Sequence, residues 1–99
     1  MYAIEYVESV VDDLANLRAY DRTNLLDTIE AQLIYQPTQS TRNKKILIGL
    51  LPTWEQVPPI WELRIGEYRV FYDVNELTLT VVVRAIRHKP PHKTTEEIL

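Results

Sequence analysis

Two arginines, Arg64 and Arg69, stand on either side of Gly66-Glu67 in the stretch WELRIGEYRVFYDV, with Glu62, Phe71 and Asp73 at alternate positions beside them. A guanidinium is a planar, permanently charged fork that matches phosphate oxygens, and an aromatic ring among such groups can stack a nucleobase. If the stretch is a hairpin, the two arginines face each other. Like charges directly opposite on a sheet cost from a few tenths to about 1 kcal/mol per pair, so they call for neutralising neighbours or an anionic ligand. Glu62 and Asp73 could supply the first, in a surface ion network of small energetic worth. A bound phosphate would supply the second.

Further chemistry lies to either side. Arg84 falls in phase with Arg64 and Arg69 on a following strand, and His88 is next in that phase. Arg42, Lys44, Lys45, Arg87, Lys89 and Lys93 could extend a cationic footprint. His88 and His92 are separated by Pro90-Pro91, so they cannot share a helical face as metal ligands, and no metal or cofactor is expected. Two glycines are too few for a phosphate-cradling loop, and no serine has the context of a nucleophile.

The elements that would carry these groups follow from hydrophobic period. Tyr2, Ile4 and Tyr6 alternate as in a half-buried strand. From Ser9, a plausible cap, Val10, Leu14 and Leu17 recur at helical spacing. Asp21 can cap a second helix with the stripe Leu25, Leu26, Ile29 and Leu33, ending before Pro37. The polar run PTQSTRNKK reads as a loop into a strand near residues 46–48, and Pro52, Pro58 and Pro59 bracket a second loop around Trp54.

Three strands close the chain, at 60–65, 68–74 and 77–86, joined by turns at Gly66-Glu67 and Asn75-Glu76. Two-residue turns pair Ile65 with Tyr68, Arg64 with Arg69 and Val74 with Leu77. Alternation then sends Trp61, Leu63, Ile65, Tyr68, Val70, Tyr72, Val74, Leu77, Leu79, Val81, Val83 and Ala85 to a face the two helices must cover. The other face carries Glu62, Arg64, Arg69, Phe71, Asp73, Thr78, Thr80, Val82, Arg84 and Ile86.

Composition sets outer limits. The 99 residues suit one domain, with 45% hydrophobic and 25% charged residues as in ordinary globular proteins. Without cysteine there are no disulfides and no thiolate chemistry, and neither a signal peptide nor a membrane span is recognisable, which makes the cytoplasm the expected compartment. The net charge of −3 hides a division: residues 1–40 hold seven acids against Arg18 and Arg22, whereas residues 41–93 hold nine bases against five acids. An anionic ligand should meet the second half.

The order strand, two helices, antiparallel strands, together with TRNKKILIG, WELRIGEYRVFYDV and VVVRAIRHK, resembles the RelE/ParE superfamily of bacterial type II toxins over nearly the whole chain. The resemblance implies an α+β, RelE-like single domain over residues 1–99, with the N-terminal strand and two helices packed on one face of a mainly antiparallel sheet. It implies a toxin neutralised by a cognate antitoxin. RelE-like members cut mRNA in the ribosomal A site without metal, by attack of a ribose 2′-hydroxyl on the adjacent phosphate, and ParE-like members poison DNA gyrase. A third possibility within the family is a non-catalytic toxin that binds antitoxin and tunes transcription of its operon.

Matched to the family pattern, Arg69 is the arginine that stabilises transition-state charge and Arg64 a basic residue just upstream. Lys89 falls at the late basic position, and His88 beside it is a candidate proton carrier. Where RelE-like enzymes often hold lysines, this chain has Ile60 and Glu62, and Glu62 becomes a candidate base. Where they hold a late tyrosine, it has Thr94 and Thr95. Arg84, Phe71, Arg42, Lys44, Lys45 and Arg87 are the expected RNA contacts.

Overall fold

The computed structural model describes residues 1–99. Five strands form one sheet in the order β1-β5-β4-β3-β2. They are β1 (Ala3–Tyr6), β2 (Lys44–Ile46), β3 (Trp61–Ile65), β4 (Tyr68–Asn75) and β5 (Thr80–His88). Only the β1–β5 pair is parallel. The helices α1 (Glu8–Ala15) and α2 (Ala19–Leu33) connect β1 to the other edge, and a short α3 (Thr95–Ile98) closes the chain. No helix is long and apolar enough to cross a membrane.

The helices form where the apolar spacing requires. Val10 and Leu14 of α1, and Leu25, Ile29 and Leu33 of α2, are the buried positions, four residues apart on one face. They pack with Trp61, Leu63, Ile65, Val70, Tyr72, Val81, Val83 and Ile86 into the main core. Both helices begin before their expected caps. Val7 is held extended by donating its N–H to the Val83 carbonyl (3.2 Å), so α1 starts at Glu8 and Ser9 lies inside the first turn. Arg18 occupies the cap position of α2, and Asp21 sits in the first turn, where its carboxylate accepts from Arg18 Nε at 3.2 Å.

The first hairpin has the expected register, with Arg64 opposite Arg69 and Ile65 opposite Tyr68. Gly66 takes φ 58° at the first central position, a conformation cheap only for glycine. The second connection is longer than expected. Asn75 Oδ1 accepts from the N–H groups of Leu77 (3.0 Å) and Thr78 (3.1 Å), Leu79 adopts φ 51°, and β5 begins at Thr80. Val74 therefore pairs with Val81 instead of Leu77. Because the offset of four is even, Val81 and Val83 still face the helices, while Leu77 (97% exposed) and Leu79 leave the core.

A bulge overturns the alternation further along β5. Phe71 pairs with Ala85 but Tyr72 with Val83, which leaves Arg84 without a partner in the ladder. One extra residue reverses the faces beyond it. Ile86, expected outside, joins the main core, whereas Ala85, expected inside, packs with Phe71 and Ile60 on the other face. That second face is itself partly covered. Leu47, Trp54, Ile98 and Leu99 close over Ile60, Phe71 and Ala85, so the loop after β2 and the C-terminal segment form a lid on part of the sheet opposite the helices.

Candidate functional site

The uncovered part of that second face holds a cavity of about 230 Å³ lined by Arg42, Asn43, Lys45, Glu62, Arg64, Arg69, Lys89 and Thr95. Five cations surround one carboxylate, and no lining residue is hydrophobic. They arrive from several pieces of chain. Glu62 and Arg64 project from β3, Arg69 from β4 and Lys45 from β2, where it pairs in register with Glu62. The Lys89 N–H donates to the Glu67 carbonyl (2.6 Å), tying the end of β5 to the first hairpin turn. The Arg64 N–H donates to the Asn43 carbonyl (2.8 Å), which holds the Arg42 segment against β3.

Glu62 is the buried anion of this group, with 4% of its surface exposed. Each of its oxygens has its own neighbour: Oε1 lies 3.7 Å from Lys45 Nζ, and Oε2 accepts from Thr95 Oγ1 at 3.3 Å. Arg69 is also buried. Its Nη1 donates to the carbonyls of Gly66 and Tyr68, both at 2.9 Å, which aims the guanidinium across the turn. Burial holds its pKa below the ordinary arginine value, the Arg64 charge adds to this, and Glu62 opposes it. The two arginines thus repel as the register predicts, and Glu62 offsets only part of the repulsion. A phosphate would complete the neutralisation.

Several expected contacts lie elsewhere. Phe71 is fully buried beneath Trp54, ring centroids 5.7 Å apart, and cannot offer a stacking face. Arg84 is a strut: its Nε meets Asp73 Oδ2 at 2.8 Å, and that same oxygen accepts the Val57 N–H at 2.9 Å, anchoring the covering loop. For Arg84 the ion-network alternative therefore holds. Beyond the bulge, His88 pairs with Tyr68; its ring lies 5.4 Å from the Tyr68 ring and its Nε2 3.6 Å from Glu67. It lines a separate groove with Asp13, Leu17, Ile86 and Arg87. Arg87 is opposite Arg69 in register, but its guanidinium reaches back to Asp13 of α1 at 3.9 Å.

Lys44 is likewise structural. Its buried Nζ donates to the carbonyl of Gln32 (3.1 Å), in the last turn of α2 where carbonyls lack helical partners, and to that of Gln36 (2.9 Å) just beyond the helix. It thereby pins β2, and so Lys45, to the helical layer. Lys44→Met is expected to cost about 1.5–3 kcal/mol, the worth of charged hydrogen bonds, in urea unfolding at neutral pH. Desolvation lowers the Lys44 pKa, so between the folded and unfolded values the unfolded chain binds more protons and stability rises with pH. Lys44→Met should remove that alkaline rise, and an unchanged slope would exclude the linkage.

Thr95 and Asn43 were not anticipated as site residues. Asn43 acts through its main chain, which no side-chain pattern reveals. A signal for the Thr95 region did exist: Thr94-x-x-Glu97 is a capping box, with the Glu97 N–H donating to Thr94 Oγ1 (3.3 Å) and the Thr94 N–H to Glu97 Oε1 (2.9 Å). The hydrogen bond from the Thr94 backbone to the carboxylate is the main cause that holds the Glu97 pKa below the ordinary value.

Known structures share this architecture. A chain of the toxin–antitoxin complex RelBE2 from Mycobacterium tuberculosis superposes with a TM-score of 0.68 at 20% identity, covering 89% of this chain and 98% of that one. The isolated E. coli RelE toxin gives 0.71 at 17% identity, covering 98% and 94%. A chain of the archaeal RelE–RelB complex from Pyrococcus horikoshii gives 0.57 at 19% identity, covering 94% and 98%. At these identities the likeness concerns the fold. None of the curated proteins matches the sequence. The model of the ParE toxin of the type II toxin–antitoxin system parDE matches residues 4–89, and with that match the chain belongs to the RelE/ParE superfamily of type II toxins.

Proposed function

We propose that this toxin is a ribosome-dependent, metal-independent mRNA endonuclease, neutralised in the cytoplasm by a cognate antitoxin. The observation that carries this reading is a buried carboxylate, Glu62, opening into a pocket with five cations. A carboxylate at the centre of the site relieves the arginines but repels an anion, so a surface that only gripped phosphate would bind it less well for having one. A base beside a phosphate site has a use for one.

In the reaction, the Glu62 carboxylate takes the proton of a ribose 2′-hydroxyl as that oxygen attacks the adjacent phosphorus. Arg69 and Arg64 meet the charge that builds on the non-bridging oxygens. The bond from phosphorus to the 5′-oxygen breaks, and the Lys89 ammonium returns a proton to that leaving oxygen. The products are a 2′,3′-cyclic phosphate and a 5′-hydroxyl. With Phe71 buried beneath a partly buried Trp54, and no aromatic ring lining the pocket, the site grips backbone and leaves the bases to the ribosome and codon that present them.

The match to the ParE toxin favours one alternative, a non-catalytic inhibitor of DNA gyrase. Purified toxin added to mRNA-programmed ribosomes separates the two. Cuts in the A-site codon ending in cyclic phosphate support the endonuclease. Loss of gyrase supercoiling with intact mRNA would establish the alternative, and loss of neither would leave a toxin that only binds its antitoxin and tunes transcription.

A further inference from the structure

Glu62 is buried at the wall of a pocket lined by five cations, and a base works only if one oxygen lone pair is aimed at the substrate hydroxyl. Lys45 is a largely exposed ammonium on a long stem, 3.7 Å from Oε1, a separation beyond hydrogen-bond reach that fixes no orientation. Thr95 is different. It is the first residue of α3, directly after the capping-box residue Thr94, and the helix is fastened to the sheet by Ile98 and Leu99 packing against Ile60, Phe71 and Ala85. Its β-branched side chain has few rotamers, and its hydroxyl donates to Oε2 at 3.3 Å.

We infer that Thr95 is the positioning residue for Glu62: the C-terminal turn presents its hydroxyl to Oε2 and leaves Oε1 facing the pocket as the base. This rests on the endonuclease reading for its consequence, though the hydrogen bond itself does not.

The test is a set of variants measured both for cleavage on programmed ribosomes and for unfolding in urea. Thr95→Val keeps the shape and removes the hydroxyl; kcat should fall at least about tenfold with KM unchanged, since a misaimed catalytic group costs rate and not binding. Thr95→Ser should restore most of the rate. In a Glu62→Gln background Thr95→Val should add little further loss, because Thr95 acts through the carboxylate. A Thr95→Val protein with parental kcat, or one whose loss adds in full to that of Glu62→Gln, overturns the inference while leaving the endonuclease reading intact. If the parent cuts no mRNA, the endonuclease reading fails and takes the positioning role with it; unfolding of the same variants then reports whether the hydrogen bond exists as a purely structural contact.

Discussion

Glu62→Gln lowers the single-turnover rate of mRNA cleavage by about 10²–10⁴-fold, the usual worth of a positioned general base. The substitution keeps the side chain's shape and leaves an oxygen to accept from Thr95 Oγ1, so the loss reports the missing proton acceptor and not a collapsed pocket. It also removes the single negative charge among Arg42, Lys45, Arg64, Arg69 and Lys89. RNA binding should therefore hold or tighten while kcat falls. That split between rate and affinity is the diagnostic result. Equal losses in both would make Glu62 a binding residue, and an undiminished rate would exclude it as the base.

Arg69→Ala has the second large effect, about 10²–10³-fold in cleavage, the range seen when one donor to a developing oxyanion is removed. Expressed without antitoxin, the variant should no longer arrest growth. Arg69 has two tasks that must be separated: its guanidinium faces the pocket, and its Nη1 also braces the carbonyls of Gly66 and Tyr68 at the hairpin turn. Truncation therefore costs some stability as well as rate. Urea unfolding beside the kinetics distinguishes them, and a folded Arg69→Ala toxin that still arrests growth would remove Arg69 from the phosphate site.

The register explains why these two residues stand together. Glu62 lies opposite Phe71 and Arg64 opposite Arg69, so the tight turn at Gly66 brings the second arginine back beside the first. The motif WELRIGEYR carries its own geometry because a two-residue hairpin permits one register. For the same reason the hairpin, its inward face and the Arg64–Arg69 pair were all legible in residue order. The helical stripes of α1 and α2 were legible too, since periodic burial does not depend on which sheet lies beneath.

Reading failed where a residue count or a distant cover decided the outcome. The bulge at Arg84 follows no local pattern, yet it turns His88 away from the pocket that Glu62 and Lys89 line. Phe71 looked like an exposed ring because alternation assigns it to the face opposite the helices. Trp54, Leu47, Ile98 and Leu99, all remote along the chain, bury it. Lys44 and Lys45 are adjacent and chemically alike, but alternation along β2 sends one to the end of α2 and the other to the site.

By itself, then, the residue order determined the arginine hairpin, the helical cover and the family, because each rests on short-range periodicity and on turns of minimal length. Only the tertiary structure decided which cations share a pocket and what holds Glu62. Those depend on an inserted residue in β5 and on a C-terminal turn folding back across the sheet, contacts between segments 33 residues apart in the case of Thr95 and Glu62. No local propensity encodes such a meeting; it exists only once the core has set the two segments side by side.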